Sequence, residues 1–282
     1  MALRKHRRSL FGTIMLALVL IIFACFMALP VIYTIASSLK PPEEFFIFPP
    51  RILVQSPTLD NFKALASNLA SSWVPFERYL FNSIYMSVIS TVAYVIVAAL
   101  AAYPLAKHLF PGKAALNSMI TLALMFTAAV LSIPQYIILS VLGWIDTPLA
   151  VMAPAMASTM GVFLCVQFLE TLPYSVLESA RMDGAGEWRV WWSIVVPNIR
   201  PALFTMVIFQ FQAAWNSTGA NVIYNEALKT LPAAMTQIAS AGIARAGVGS
   251  ASAFILMIPP VLVFILSQAN VMETMAHSGI KD

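Results

Sequence analysis

Hydrophobic positions in this chain come in long uninterrupted runs, and the charged positions are confined to the gaps between them. Residues 9–39, 79–106, 114–145, 147–169, 201–225 and 246–272 carry no Asp, Glu, Lys or Arg. A helix needs roughly 20 residues to cross about 30 Å of hydrocarbon. A charge at mid-membrane costs on the order of 2.5–3.5 kcal/mol. The runs therefore predict six transmembrane helices, at about 11–36, 82–104, 115–141, 148–169, 202–223 and 252–271. A β-barrel would alternate in polarity over ten-residue segments, and no such pattern occurs. The expected fold class is an all-α integral membrane protein, a single transmembrane domain over residues 1–282.

Composition agrees with the pattern. Of 282 residues, 60% are hydrophobic and only 10% charged, with a formal net charge of +4. Soluble domains carry about 25% charged residues, so this chain could not cover a water-facing surface. Disordered, coiled-coil and disulfide-scaffold readings are excluded with it.

The distribution of Lys and Arg sets the expected orientation. Arg4, Lys5, Arg7, Arg8, Lys107, Lys113, Arg181, Arg189, Arg200 and Lys281 fall on one side. Lys40, Arg51, Lys63, Arg78, Lys229 and Arg245 are spread over two longer loops on the other. The positive-inside rule puts both termini of this multi-pass chain in the cytoplasm. The first apolar run extends to Ala36, beyond the 7–15 residues of a signal-peptide core, and reads as a retained span.

Candidate chemistry is sparse. Cys25 and Cys165 lie inside predicted spans and suggest neither disulfide nor metal site. His6, His108 and His277 lie far apart and outside the spans, so no metal site is expected. No phosphate-binding Gly-rich loop ending in Lys-Ser/Thr occurs. No ionisable side chain of proton-relay type sits within a span. The expectation is a non-enzyme that binds no cofactor of its own and takes energy from elsewhere or conducts passively.

The longest cytoplasmic loop, residues 170–200, carries the most information. Ser175-Val176-Leu177-Glu178 has capping-box spacing and predicts a short helix from Val176, ending at Gly184 and Gly186. Trp188, Trp191, Trp192 and Val195 then recur at helical spacing as an aromatic face. Pro197 and Pro201 are expected to break that second helix. On these residues alone the pair is either an interfacial hairpin or a docking element for a second protein.

Glu178-Ser179-Ala180-Arg181-Met182-Asp183-Gly184-Ala185, followed eight residues later by Ile194-Val195-Val196-Pro197, closely resembles the "EAA" loop of ABC importer permeases. Ser179 stands where the pattern has alanine, and Val196 where it has leucine. Ser38-Leu39-Lys40-Pro41-Pro42-Glu43-Glu44, Thr58-Leu59-Asp60-Asn61-Phe62, Asn82-Ser83, Ile133-Pro134-Gln135-Tyr136, Leu142-Gly143-Trp144-Ile145-Asp146-Thr147, Trp215-Asn216 and Lys229-Thr230-Leu231-Pro232 are similar to the carbohydrate-importing, maltose G-like type. The terminal Glu273–Asp282 segment departs from the usual ending of that family.

The resemblance implies a permease subunit, multi-pass in the plasma (inner) membrane of a prokaryote, forming half of a translocation pathway for a sugar or oligosaccharide. It implies an ATPase-coupling site at Glu178, Ser179, Ala180, Arg181, Asp183, Gly184 and Ala185. It also implies a second permease subunit, two ATPase subunits holding ATP and Mg, an extracytoplasmic solute-binding protein, membrane lipid and a carbohydrate as partners, with no nucleic acid. Gln210, Gln212, Trp215 and Asn216 are candidates for the substrate pathway, since amides bind hydroxyls and an indole stacks on a sugar ring. They serve equally as interhelical glue. Gln135 and Gln167 are weaker candidates of the same kind. Loop 224–251 is read either as a surface connector or as a segment entering the binding protein. The rival readings are an ABC importer permease for another solute, such as a glycerol phosphate or an amino acid, and a stand-alone secondary carrier or channel.

Overall fold

The computed structural model describes residues 10–49, 51–70, 73–240 and 245–278. The basic cluster at 4–8 and Lys281, both used for the orientation, lie outside the described residues, as does part of loop 224–251. The described residues are helices and connecting loops, with no strand among them. They fall into two compact units, one reaching Leu69 and including Thr236–Ile255, the other comprising Ala70–Met235 and the chain from Leu256 onward.

In the first unit, α1 (Leu10–Ser38) is apolar all round, and its most hydropathic window is wholly unburied within the protein. A helix with no polar face is suited to lipid or to another apolar helix. Its last turn is closed by α2 (Asp60–Ala70), whose Asn61 Nδ2 donates to the carbonyls of Ser38 (3.0 Å) and Lys40 (2.7 Å). The Ser38 carbonyl is among the acceptors that a helix end leaves unpaired. Lys40 is buried and lies over the Tyr33 ring, its ammonium 5.2 Å from the centroid. Gly247, in the first turn of α13 (Ala246–Ser278), touches Asn61 so closely that a Cβ would fall 2.2 Å from Oδ1. Asn61 thus ties the end of α1 to α2 and to the start of α13.

The second unit is organised around α3 (Phe76–Lys107), with α6 (Leu149–Met156), α7 (Thr159–Glu170) and α11 (Arg200–Trp215) packed against it. Ser83, Ser87, Ser90, Thr91, Ala98, Ala99, Ala102 and Ala106 form its buried face. Small side chains let helix backbones approach closely where lipid removes the hydrophobic drive to associate. Gly161 of α7 shows how close: a Cβ there would fall 2.5 Å from the Tyr94 hydroxyl oxygen and 2.7 Å from the Met206 methyl.

Three predicted spans are interrupted, the one at 148–169 only briefly, between α6 and α7 at Ala157 and Ser158. Residues 115–141 do not form one helix; α4 (Lys113–Ala123) ends and α5 (Ala128–Val141) begins after an extended Thr127. Absence of charge reports where lipid tolerates the chain, not where the backbone stays helical. The span expected at 202–223 ends as a helix at Trp215, because Asn216-Ser217-Thr218 leads into Gly219 at φ +59°, whose carbonyl collects the N–H groups of Val222 and Ile223. Among the described residues, four helical segments are long and apolar enough to cross a membrane: Phe11–Ser38, Phe76–Lys107, Leu149–Glu170 (α6 and α7 together) and Ala246–Gln268. Arg200–Trp215 qualifies only together with the preceding Glu187–Asn198, from which it bends by 73°.

The bend follows from the prolines. α9 (Glu187–Val190) widens into a π-helical turn at Trp191–Val195 before α10 (Val196–Asn198). Pro197 supplies no N–H to Ser193 and its ring crowds that carbonyl, and Pro201 at the start of α11 has no N–H either. The break falls at Ile199, between the two.

Candidate functional site

α8 (Tyr174–Met182) is the short helix expected in the 170–200 loop. It begins two residues earlier than predicted, with Pro173 as its N-cap, and no side chain caps it. The capping box does not form, because Ser175 lies inside the first turn of α8 and not at its N-cap. Its other end is as expected. The Ala185 N–H bonds the Ala180 carbonyl and the Gly184 N–H bonds that of Arg181, both at 3.0 Å, with Gly184 at φ +80°. This is a Schellman closure, which needs a left-handed residue at the glycine position.

The motif residues divide by face. Leu177 is fully buried, and Ala180 and Ala185 pack against the core formed by α3, α7 and α11. Burying one leucine of this kind contributes about 1.5–3 kcal/mol. Glu178, Ser179, Arg181, Asp183 and Gly184 are exposed, alongside the apolar Val176 and Met182. α8 therefore presents acidic, hydroxyl and apolar groups outward from a backbone held rigidly beneath. In the aromatic segment it is Val190 and Val195 that are fully buried, whereas Trp188 and Trp192 are exposed. Trp191 lies between, its indole N–H 3.4 Å from the Ala99 carbonyl.

A polar network joins this loop to the Lys107 end of α3. Arg181 Nε donates to Glu187 Oε1 at 2.9 Å, and the Tyr103 hydroxyl donates to Glu187 Oε2 at 2.8 Å. The Glu187 carboxylate holds the Arg181 guanidinium still further above its usual range. Next to it, the Lys107 ammonium donates to the Leu172 carbonyl and sits 4.4 Å from the Tyr174 ring centroid. The sequence pattern flagged neither Glu187 nor Tyr103; a glutamate in a helix's first turn and a tyrosine in an apolar run carry no local signal.

The pathway candidates separate as well. Gln210 is buried and its amide donates to the Ala155 carbonyl at 3.0 Å, where α6 is ending. Trp215 is buried and its indole donates to the Leu256 carbonyl of α13 at 3.0 Å. Both behave as interhelical ties. Gln212 and Asn216 remain exposed. Gln135 of α5, Ser158, Gln210, Ser217 and Gly219 share the wall of an open cavity of about 310 Å³.

At the Phe76 end of α3, several motif residues meet. Asn82 Nδ2 donates to the carbonyls of Ala227 and Lys229, each at 2.9 Å, and the Leu231 N–H donates to Ser83 Oγ at 2.7 Å. Leu231 opens α12 (Leu231–Ala239). The Tyr79 hydroxyl donates to Glu226, which also pairs with Lys229 at 2.6 Å. Burial would raise the Glu226 pKa, but the Lys229 and Tyr79 contacts outweigh it and hold the carboxyl below its usual range. Asp146, at φ +60°, accepts the N–H groups of Tyr224 (2.9 Å) and Asn225 (2.8 Å). The start of loop 224–251 is thus a structured segment.

Residues 83–276 match the model of the family described as binding-protein-dependent transport system inner membrane component. The sn-glycerol-3-phosphate transport system permease protein UgpE of Yersinia enterocolitica is 30% identical over 94% of this chain and 95% of its own length. The arabinooligosaccharides transport system permease protein AraQ of Halalkalibacterium halodurans is 26% identical over 92% of this chain and 93% of its own. A chain from the crystal structure of a bacterial ABC transporter involved in the import of the acidic polysaccharide alginate shares the fold, with a TM-score of 0.75 at 21% identity, covering 91% of this chain and 95% of that one. With its apolar spanning helices and a family match across most of its length, the chain belongs to the binding-protein-dependent transport system inner membrane components, as a multi-pass ABC permease of the bacterial inner membrane and not itself an enzyme.

Proposed function

We propose that this permease forms half of the translocation pathway of a sugar or oligosaccharide importer and is driven by separate ATPase subunits that grip α8. The observation carrying this reading is the division of the Glu178–Ala185 motif into a buried half locked to the core and an exposed half presenting Glu178, Ser179, Arg181, Met182 and Asp183. Such an element can receive a rigid-body displacement without itself deforming. Both termini and the 170–200 loop lie in the cytoplasm, and α4 with α5, and α11 with the turn that follows it at Gly219, complete six membrane crossings. A second permease subunit supplies the other half of the path, two ATPase subunits bind ATP and Mg, and a solute-binding protein docks on the opposite face. Alternating access then requires that ATP and the loaded binding protein favour different arrangements of the spans.

The carbohydrate assignment is supported by the names of the arabinooligosaccharide and alginate systems. Solute contacts are assigned to Gln212, Asn216 and the cavity shared by Gln135 and Gln210, where amides and hydroxyls converge on an otherwise apolar wall. A glycerol phosphate as cargo is the second reading, favoured by the UgpE relative. The test is a Met182→Cys variant in the assembled complex. A cross-link to the ATPase subunit, with ATP-dependent uptake of an oligosaccharide into proteoliposomes, is the expected result. Uptake by this chain alone, without ATPase, overturns the reading; uptake of glycerol phosphate in place of sugars replaces the cargo and leaves the coupling.

A further inference from the structure

Glu187 lies outside the motif that marks the coupling loop, yet it is the residue on which three elements converge. Its Oε1 accepts from Arg181 Nε at 2.9 Å, which ties it to the last turn of α8. Its Oε2 accepts from the Tyr103 hydroxyl at 2.8 Å, with Arg181 Nη2 at 3.4 Å, which ties it to α3. Arg181 Nη2 also reaches the Tyr103 hydroxyl at 3.4 Å, closing the triangle. His108, the C-cap of α3, places Nε2 3.5 Å from the same carboxylate and stacks edge-on against Tyr103 with centroids 4.9 Å apart. Glu187 itself is the first residue of α9, whose widened turn leads through Pro197 into the bend before α11.

The other end of α3 holds the segment that follows α11. Tyr79, Asn82 and Ser83 bind Glu226, the Ala227 and Lys229 carbonyls, and the Leu231 N–H. Between Phe76 and Tyr103 the helix contains neither glycine nor proline, the residues that bend helices most readily. At 1.5 Å per residue, the roughly 24 positions from Tyr79 to Tyr103 span about 36 Å. A helix without a hinge transmits displacement along its axis.

We infer that Glu187 is a positioning residue that couples α8 to α3, so that α3 carries movement of the coupling helix to the loop at residues 226–231 on the opposite face. Hydrophobic contacts under Leu177 hold α8 in place but are non-directional; the carboxylate adds charge-assisted bonds with a defined direction. Loss of the network therefore leaves assembly intact and weakens the link between hydrolysis and transport. The inference rests on the proposed ATPase coupling.

The experiment uses the intact complex in proteoliposomes and reads solute imported per ATP hydrolysed, for Glu187→Ala, Tyr103→Phe and the double variant. The expected result is a fall of about fivefold or more in that ratio for each single variant, the low end of the range for coupling between sites, with the double variant no worse than either. Glu187→Gln, which keeps the shape but not the charge, is expected to lie between wild type and Glu187→Ala. Tyr103→Phe removes one hydroxyl and guards against a Glu187 variant that does not fold. An unchanged ratio, or effects that multiply as for independent sites, overturns the inference. Retention of the Met182→Cys cross-link in these variants shows that ATPase docking stands while Glu187 fails; its absence even in the wild-type background sinks the docking reading itself.

Discussion

The indole N–H of Trp215 takes the place of a backbone donor that Pro260 lacks: it donates at 3.0 Å to the Leu256 carbonyl, the acceptor that a non-proline residue at 260 would have bonded within α13. A proline inside a spanning helix frees a carbonyl that lipid cannot satisfy. Trp215 resolves this from a neighbouring helix, and the indole is buried as a consequence. The residue pair explains why a candidate for sugar stacking is turned inward.

Trp215→Phe keeps the aromatic bulk and removes the donor. Interhelical hydrogen bonds in membranes contribute about 0.6 kcal/mol on average and up to about 1.7. The variant is expected to lose about 1 kcal/mol of stability, read as a lower thermal midpoint in detergent, with uptake per folded protein preserved. Unchanged melting with abolished uptake would place Trp215 in the solute path instead.

At Gly184 the left-handed backbone, not lack of room, is the constraint: φ is +80°, and apart from its chain neighbours no atom lies within 4 Å of where a Cβ would sit. A non-glycine residue there costs about 1–2 kcal/mol. Gly184→Leu is expected to unwind the closure of α8, leaving membrane insertion intact and abolishing ATP-driven uptake or assembly with the ATPase. Normal uptake by this variant argues against α8 as the docking element.

Gly161 is the opposite case, limited by space. Because the Tyr94 hydroxyl and the Met206 methyl occupy the place of its Cβ, Gly161→Val must displace those side chains or push α7 away from α3 and α11. Overpacking of this kind costs about 1–3 kcal/mol. The expected outcome is reduced yield of monodisperse protein, measured by size-exclusion chromatography of matched preparations, and Gly161→Ala is expected to be milder.

Acid should loosen the loop around Glu226. Its carboxyl is held below the usual range, despite partial burial, by Lys229 and Tyr79. A depressed carboxylate contributes stability that is present in full above its unfolded pKa and disappears as pH falls through its folded pKa. Thermal midpoints should therefore decline on acidification below about pH 4.3, the ordinary glutamate value. Glu226→Gln should be less stable near neutrality and show a shallower decline. Parallel curves for the two proteins would remove Glu226 from the account.

Legibility from the chain varied with the range of the interaction involved. Charge-free runs located the lipid-compatible segments because the cost of a buried charge accrues residue by residue. Gly184 was legible because a left-handed closure is local chemistry. The capping box at Ser175–Glu178 was misleading: Pro173 already sets the start of α8 and leaves Ser175 inside its first turn. Thr127 interrupts an apolar run that carries no proline or glycine at the break. For Gln210 and Trp215 the sequence left solute contact and interhelical tie equally open, because their partners, the Ala155 and Leu256 carbonyls, lie tens of residues away.

Taken alone, the order of residues determined that this protein lives in a bilayer, is helical, and bears a short glycine-closed helix between its fourth and fifth apolar runs, since each follows from local free energies of transfer and backbone conformation. Tertiary structure decided which polar groups are ties and which are free, where spans break and bend, and that Glu187 and Tyr103 meet. Those outcomes depend on which carbonyls other helices leave unpaired and how closely backbones approach, and neither quantity is a property of any one segment.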